Sequence, residues 1–212
     1  MKKEEKKKLF LYVLPAASEG ASEEKLCRAA LHYGKHFALK DPFDGRAPKV
    51  GRSERGKPYF VHHPEIFCSV SHSGDFWICA LADFPVGADL QFHTHCESEG
   101  GKDGAARLIR IAKRWFSPEE CRFAEKDPCP RFFILWTAKE SYVKMTGTGI
   151  AEGFSRLNVL PEEEIFLSVG DGRGIFWRAV ESEFYWAPFG ESYSLGLCAK
   201  KPFDVEWILW KK

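Results

Sequence analysis

The chain has 212 residues, between one domain and two at about 150 residues per domain, and can bury a core without staples. It is 44% apolar and 29% charged, with 18 Phe and 7 Trp, which excludes a disordered chain. Its 31 basic and 30 acidic residues leave a net charge of +1, so neither a nucleic-acid coat nor a polybasic membrane binder is expected.

The chain opens on a basic tail, Met1 to Lys8, before the apolar run Leu9 to Leu14. That run is too short for a membrane span, which needs roughly 18 residues, and it reads as a first strand. Residues 21–39 carry a helical pattern through Ala21, Leu26, Ala29, Ala30 and Tyr33. Residues 41–58, rich in Pro, Gly and charge, read as loop. Ile66 to Val70 and Phe76 to Ala82 read as strands, with Ser71 to Asp75 as their turn, and Val86 to Phe92 is a further strand. Glu97 to Gly104 is the linker candidate, followed by a basic helix from Ala105 to Trp115. Ser117, Pro118 and Glu120 form a capping box that starts another helix. A longer helix covers about Arg131 to Met145 and stops at Gly147 to Gly149. Residues 157–210 alternate apolar and polar residues, with strands at Tyr193 to Ala199 and Val205 to Trp210. The layout is α+β. It fits two similar lobes, residues 1–96 and residues 97–212. The seven cysteines form no C-x-x-C pair and read as free thiols of a reducing cytoplasm.

Four groups of residues could carry chemistry. In Val86 to Phe92 the period-2 alternation sets Gly87, Asp89 and Gln91 on one face, with Asp89 and Gln91 about 7 Å apart. These oxygens could hold a hard cation beside the close approach that Gly87 allows; an ordinary half-exposed strand has the same pattern. On the helix from Arg131, Phe132, Leu135, Trp136, Tyr142 and Val143 form an apolar stripe at about 100° per residue. Glu140 and Lys144 are i,i+4 neighbours at its margin, as on any solvated helix face. Lys139 projects inside the stripe, so its ammonium needs a partner or a route to water. Ser71, His72 and Ser73 could touch a phosphate or simply brace a turn. Lys49 to Lys57 holds four basic residues and one acid: an anion clamp or a solvated loop. His93, His95 and Cys96 lack a fourth ligand at metal spacing.

The order of these pieces is more telling than any one of them. Gly56-Lys57-Pro58, Phe67 to Gly74 (FCSVSHSG), Val86 to Gln91 (VGADLQ) and the W-x-x-K-E-x-x-x-K pattern from Trp136 to Lys144 follow one another. This succession closely resembles the 4′-phosphopantetheinyl transferase family, in its longer, two-lobed form. The resemblance implies two α+β lobes related by a pseudo-twofold axis, with the active site in the cleft between them. It implies transfer of 4′-phosphopantetheine from coenzyme A to a serine of an apo acyl or peptidyl carrier protein, releasing adenosine 3′,5′-bisphosphate. It implies Mg²⁺ or Mn²⁺ on Asp89 and Glu140, with Gln91 as a third ligand where the family often has Glu. It assigns Lys144 to the pyrophosphate, Ser71 and His72 to the 3′-phosphate, Lys57 to the coenzyme loop and Lys139 to the phosphates. Arg52, with Arg28 and Lys35, is a further candidate for the coenzyme. Asp89, Glu140 and Lys144 are the catalytic candidates. A cytoplasmic monomer is expected, without nucleic acid or membrane as partner. The competing reading is a non-catalytic module that binds a carrier protein or coenzyme A. A basic face for an acidic carrier is expected on Arg107, Arg110, Lys113 and Arg114.

Overall fold

The computed structural model describes residues 6–38, 40–93, 101–149, 154, 157–162 and 174–210. Ten strands and four helices are described. They are β1 (Lys7–Pro15), α1 (Ser22–His36), β2 (Val50–Arg52), β3 (Pro58–Phe60), β4 (Phe67–Ser73), β5 (Phe76–Ala82) and β6 (Val86–Phe92). Then come α2 (Gly101–Trp115), α3 (Pro118–Lys126), α4 (Pro128–Thr146), β7 (Ile175–Ala179), β8 (Ser182–Phe189), β9 (Tyr193–Ala199) and β10 (Phe203–Leu209). None of the described helices is long and apolar enough to cross a membrane.

The fold is α+β, with two four-stranded sheets, β10-β1-β5-β4 and β6-β9-β8-β7, and a β2–β3 hairpin. Both sheets are wired alike. A first strand is followed by helix, and a later strand returns to pair antiparallel with it: β5 on β1, and β9 on β6. Alternation along each strand sorts side chains into layers. Leu9, Leu11 and Val13 of β1 and Ile78, Ala80 and Ala82 of β5 meet Val86, Ala88 and Leu90 of β6 in a core between the sheets. The intervening residues, Phe10, Tyr12, Leu14, Trp77, Cys79 and Leu81, pack under α1. On the far side, α2, α3 and α4 cover β7, β8 and β9 through Phe132, Leu135, Trp177 and Phe184. The layers therefore run helix, sheet, sheet, helices.

The sheets do not follow the division at 96/97. Strand β6, from the first part, belongs to the second sheet, and β10, from the second part, pairs in parallel with β1. Other expectations shift too. The 41–58 loop contains the β2–β3 hairpin, and helix α2 begins at Gly101 inside the expected linker, whose residues 97–100 lie outside the described ones. Strand β4 runs through Ser71 to Ser73, leaving only Gly74 and Asp75 as the turn. Five described cysteines are free thiols, but Cys129 is disulfide-bonded, against the expectation of seven free ones.

The helix ends obey their local signals. Ser117 Oγ accepts from the Glu120 amide while Glu120 Oε2 accepts from the Ser117 amide. Helix α4 starts on Pro128 in its first turn and ends on Gly147, whose φ of 75° places it in the left-handed cap conformation.

Candidate active site between the two sheets

Two glycines bring α4 onto the second sheet. A Cβ on Gly87 would lie 1.8 Å from the Ser141 carbonyl oxygen, and one on Gly196 would lie 2.6 Å from the Thr137 carbonyl carbon. Only bare backbone permits this approach. It sets the polar face of β6 against the last turns of α4, so that Asp89 meets Lys144.

Asp89 is buried and fully engaged. Its Oδ1 accepts from Lys144 Nζ at 2.6 Å and from Ser71 Oγ at 2.9 Å, and its Oδ2 accepts from Gln91 Nε2 at 3.0 Å. Glu140 stands nearby, half-buried. Burial first, and the Asp89 charge second, push its carboxyl up to about 7, although Lys144 pulls it down. A half-buried carboxyl whose pKa is raised by burial and then by a second carboxylate suits either a proton acceptor or a cation ligand. Among the described residues no three His, Cys, Asp or Glu side chains cluster. The oxygen set that could hold a hard cation is therefore two carboxylates and the Gln91 carboxamide.

Strand β4 presents two different faces to this region. Ser69, Ser71 and Ser73 accept from the amides of Ala88, Leu90 and Phe92, so three hydroxyls cover the open edge of β6. His72 points the other way, into a cavity of about 460 Å³ with Arg52, Arg55, Gly56, Lys57, Pro58 and Lys144 among its lining residues. Lys57 donates to the Met145 carbonyl at 2.5 Å and is partly desolvated, which lowers its pKa. Arg52 donates to the Gly56 carbonyl and is otherwise exposed. The guanidinium and ammonium groups of this recess have the chemistry to pair with an anion. On the other side of Glu140, a groove of about 230 Å³ is walled by Leu108, Ile111, Phe132, Phe133 and Trp136, with Gln91 at its edge.

The structure thus brings together Asp89, Gln91, Glu140 and Lys144, and sets Arg52, Lys57 and His72 around the adjoining recess. It corrects two expectations. Ser71 does not share the recess with His72: alternation turns it toward Asp89, where it donates once and accepts from Lys144 and Leu90. Lys139 does not reach the cleft. Its ammonium is buried on the opposite side of α4, 2.8 Å from Glu120 Oε2, and donates to the carbonyls of Phe154 at 2.6 Å and Leu157 at 2.5 Å. Arg28 donates to the Glu19 carbonyl, away from the recess, whereas Ser22, Glu23 and Leu26 of α1 line it. The sequence reading missed Glu120 as a buried counterion because its capping role already accounted for it.

The model of the 4′-phosphopantetheinyl transferase superfamily matches residues 85–198, a span that contains Asp89, Glu140 and Lys144. A 4′-phosphopantetheinyl transferase of Bacillus subtilis is 31% identical over 168 residues, 76% of this chain and 67% of its own length. The 4′-phosphopantetheinyl transferase psf-1 of Bacillus pumilus is 29% identical over 159 residues, 72% of this chain and 61% of its own length. The 4′-phosphopantetheinyl transferase Sfp of Bacillus subtilis strain 168 is 33% identical over 107 residues, 49% of this chain and 43% of its own.

Proposed function

Because the chain belongs to the 4′-phosphopantetheinyl transferase superfamily, we propose that it moves 4′-phosphopantetheine from coenzyme A to a serine of an apo acyl or peptidyl carrier protein. Adenosine 3′,5′-bisphosphate leaves. The observation that carries this reading is the meeting of Asp89, Glu140 and Lys144 beside a basic recess framed by α1, the β2–β3 hairpin, β4 and α4.

Arg52, Lys57 and His72 hold the phosphates of coenzyme A in the recess, and Lys144 reaches its pyrophosphate from the recess wall. Asp89 and Glu140, with the Gln91 carboxamide, would hold Mg²⁺ or Mn²⁺, since two carboxylates and an amide oxygen are hard donors that suit a divalent cation. Bound there, the cation supplies charge neutralisation at the pyrophosphate. The carrier serine oxygen attacks the phosphorus that bears pantetheine, and the bond to the departing bisphosphate oxygen breaks. Glu140 accepts the serine proton at its carboxylate. Lys144 stabilises the negative charge on the leaving oxygen. Gln91, neutral where a carboxylate is common, lowers the negative charge of the ligand set.

An acidic carrier fits the groove beside Glu140, with its apolar walls and with Arg107 and Arg110 exposed on α2. Lys113 and Arg114 lie further along that helix, where Lys113 pairs with Glu125 and Arg114 covers the Trp115 ring. Both lobes come from one chain, which favours a monomer. The five free cysteines favour a reducing, cytoplasmic setting, although the disulfide at Cys129 points the other way.

Incubation with an apo carrier, coenzyme A and Mg²⁺, followed by weighing the carrier, tests the reading. A gain of one phosphopantetheine mass supports transfer. Binding of the carrier or of coenzyme A without a mass gain identifies a binding module instead.

A further inference from the structure

Helix α4 is buried on almost every side: Phe132, Phe133, Ile134, Leu135, Ala138, Val143 and Met145 are all core residues. A helix so evenly apolar has no amphipathic face to fix its rotation about its own axis. Two contacts do fix it. One is the seam of Thr137 and Ser141 against Gly196 and Gly87. The other is Lys139, which projects about 180° away from that seam at 3.6 residues per turn.

The Lys139 contact is a closed network. The ammonium spends its three donors on Glu120 Oε2 and the carbonyls of Phe154 and Leu157, between the rings of Phe116 and Phe154. Glu120 in turn accepts from the Ser117 and Val159 amides. Val159 passes the linkage on, its carbonyl accepting from Trp177 Nε1 of β7. One ion pair therefore ties α4 to the start of α3, to Phe154, Leu157 and Val159, and to the outer edge of the second sheet.

We propose that Lys139 and Glu120 are positioning residues: the buried pair sets the roll of α4, so that the neighbouring Glu140 and Lys144 face Asp89. A buried pair adds little net stability over apolar replacements, but its directed hydrogen bonds select one rotation where apolar packing accepts several. The proposal rests on the reading of Glu140 and Lys144 as site residues. It does not place Lys139 on any phosphate.

The test is the paired variant Lys139→Met with Glu120→Gln, compared with the unaltered protein. Three readouts are needed: a crystal structure, Mn²⁺ binding by electron paramagnetic resonance, and carrier-loading kinetics. The folded variant should open the 2.6 Å contact between Lys144 and Asp89. Its Mn²⁺ affinity and kcat should each fall about tenfold or more, with KM for coenzyme A within about threefold. A folded variant that keeps the Lys144–Asp89 contact and its Mn²⁺ affinity overturns the proposal. If the paired variant does not fold, Glu120→Gln alone decides: it keeps the side-chain shape but sets an NH₂ donor against either Lys139 Nζ or the Val159 amide, and an unchanged kcat overturns the proposal. The site reading fails separately, through a Glu140→Ala variant that loads carriers normally. In that case the Lys144–Asp89 geometry of the paired variant still judges the clamp.

Discussion

The two sides of α4 carry the same chemistry in opposite states. On one side Lys139 meets Glu120 at 2.8 Å with both side chains wholly excluded from solvent. On the other Lys144 meets Asp89 at 2.6 Å, with the lysine 29% and the aspartate 2% exposed. The first pair is saturated: every donor and both carboxylate oxygens have protein partners. The second faces a basic recess and stands beside a second carboxyl with a raised pKa. A closed pair can only hold the fold in place, whereas an open pair can exchange partners when phosphates or a cation arrive. Where two lysines lie five residues apart on one helix, the difference between scaffold and chemistry is access.

The largest expected effect is on the open side. Glu140→Ala should lower carrier loading at least about 1000-fold, about 4 kcal/mol of barrier, while the thermal melt stays cooperative. A loading rate near that of the unaltered protein would remove both the base and the cation ligand from the scheme. Next comes the closed side. Lys139→Ala strands a buried carboxylate and should cost about 3–5 kcal/mol in urea unfolding. Lys144→Ala should cost about 1 kcal/mol, because Ser71 and Gln91 still bond Asp89 and water can enter. Equal costs for the two lysines would erase the contrast.

A smaller effect follows from pH. The Glu140 carboxyl titrates higher in the folded chain than in the unfolded one, so the folded state holds its proton longer. That contribution is fully present below the ordinary carboxyl range and is lost as pH rises through about 7. Glu140→Gln should therefore stabilise the metal-free protein at pH 8 by on the order of 1–3 kcal/mol, at about 1.4 kcal/mol per pKa unit. The gain should vanish near pH 4, as calorimetric melts across that range would show. The smallest effect is on the recess rim: Arg52→Ala should raise KM for coenzyme A about tenfold with kcat nearly unchanged, the signature of lost uniform binding.

What could be read from the sequence divides along the same helix. Asp89 and Gln91 were legible because strand alternation is strict, and Glu140 with Lys144 because i,i+4 spacing is local. The anomaly at Lys139 was visible as an ammonium in an apolar stripe, but its partner was not. Glu120 lies on another helix, and its capping box gave a sufficient local reason for its presence. The serines of β4 failed for a related cause. Read as a turn, Ser71 to Asp75 promises neighbouring side chains at one place; as strand, it sends Ser71 and His72 to opposite faces. The trailing strands were recognisable as strands, yet nothing local told that β10 would join the first sheet, since strand pairing over such separations is decided by packing.

That return of β10 bears on how the molecule is made. The residues of β1 leave the ribosome long before those of β10, their parallel partner. Until then the first sheet has β1 as an exposed, strongly apolar edge, a template for unwanted pairing. Its charged register, with Lys6 and Lys8 facing Asp204 and Glu206, gives the late-arriving strand one alignment to find. The first sheet is thus completed by a strand translated long after its other members, and a nascent chain halted before residue 203 would carry an unfinished sheet.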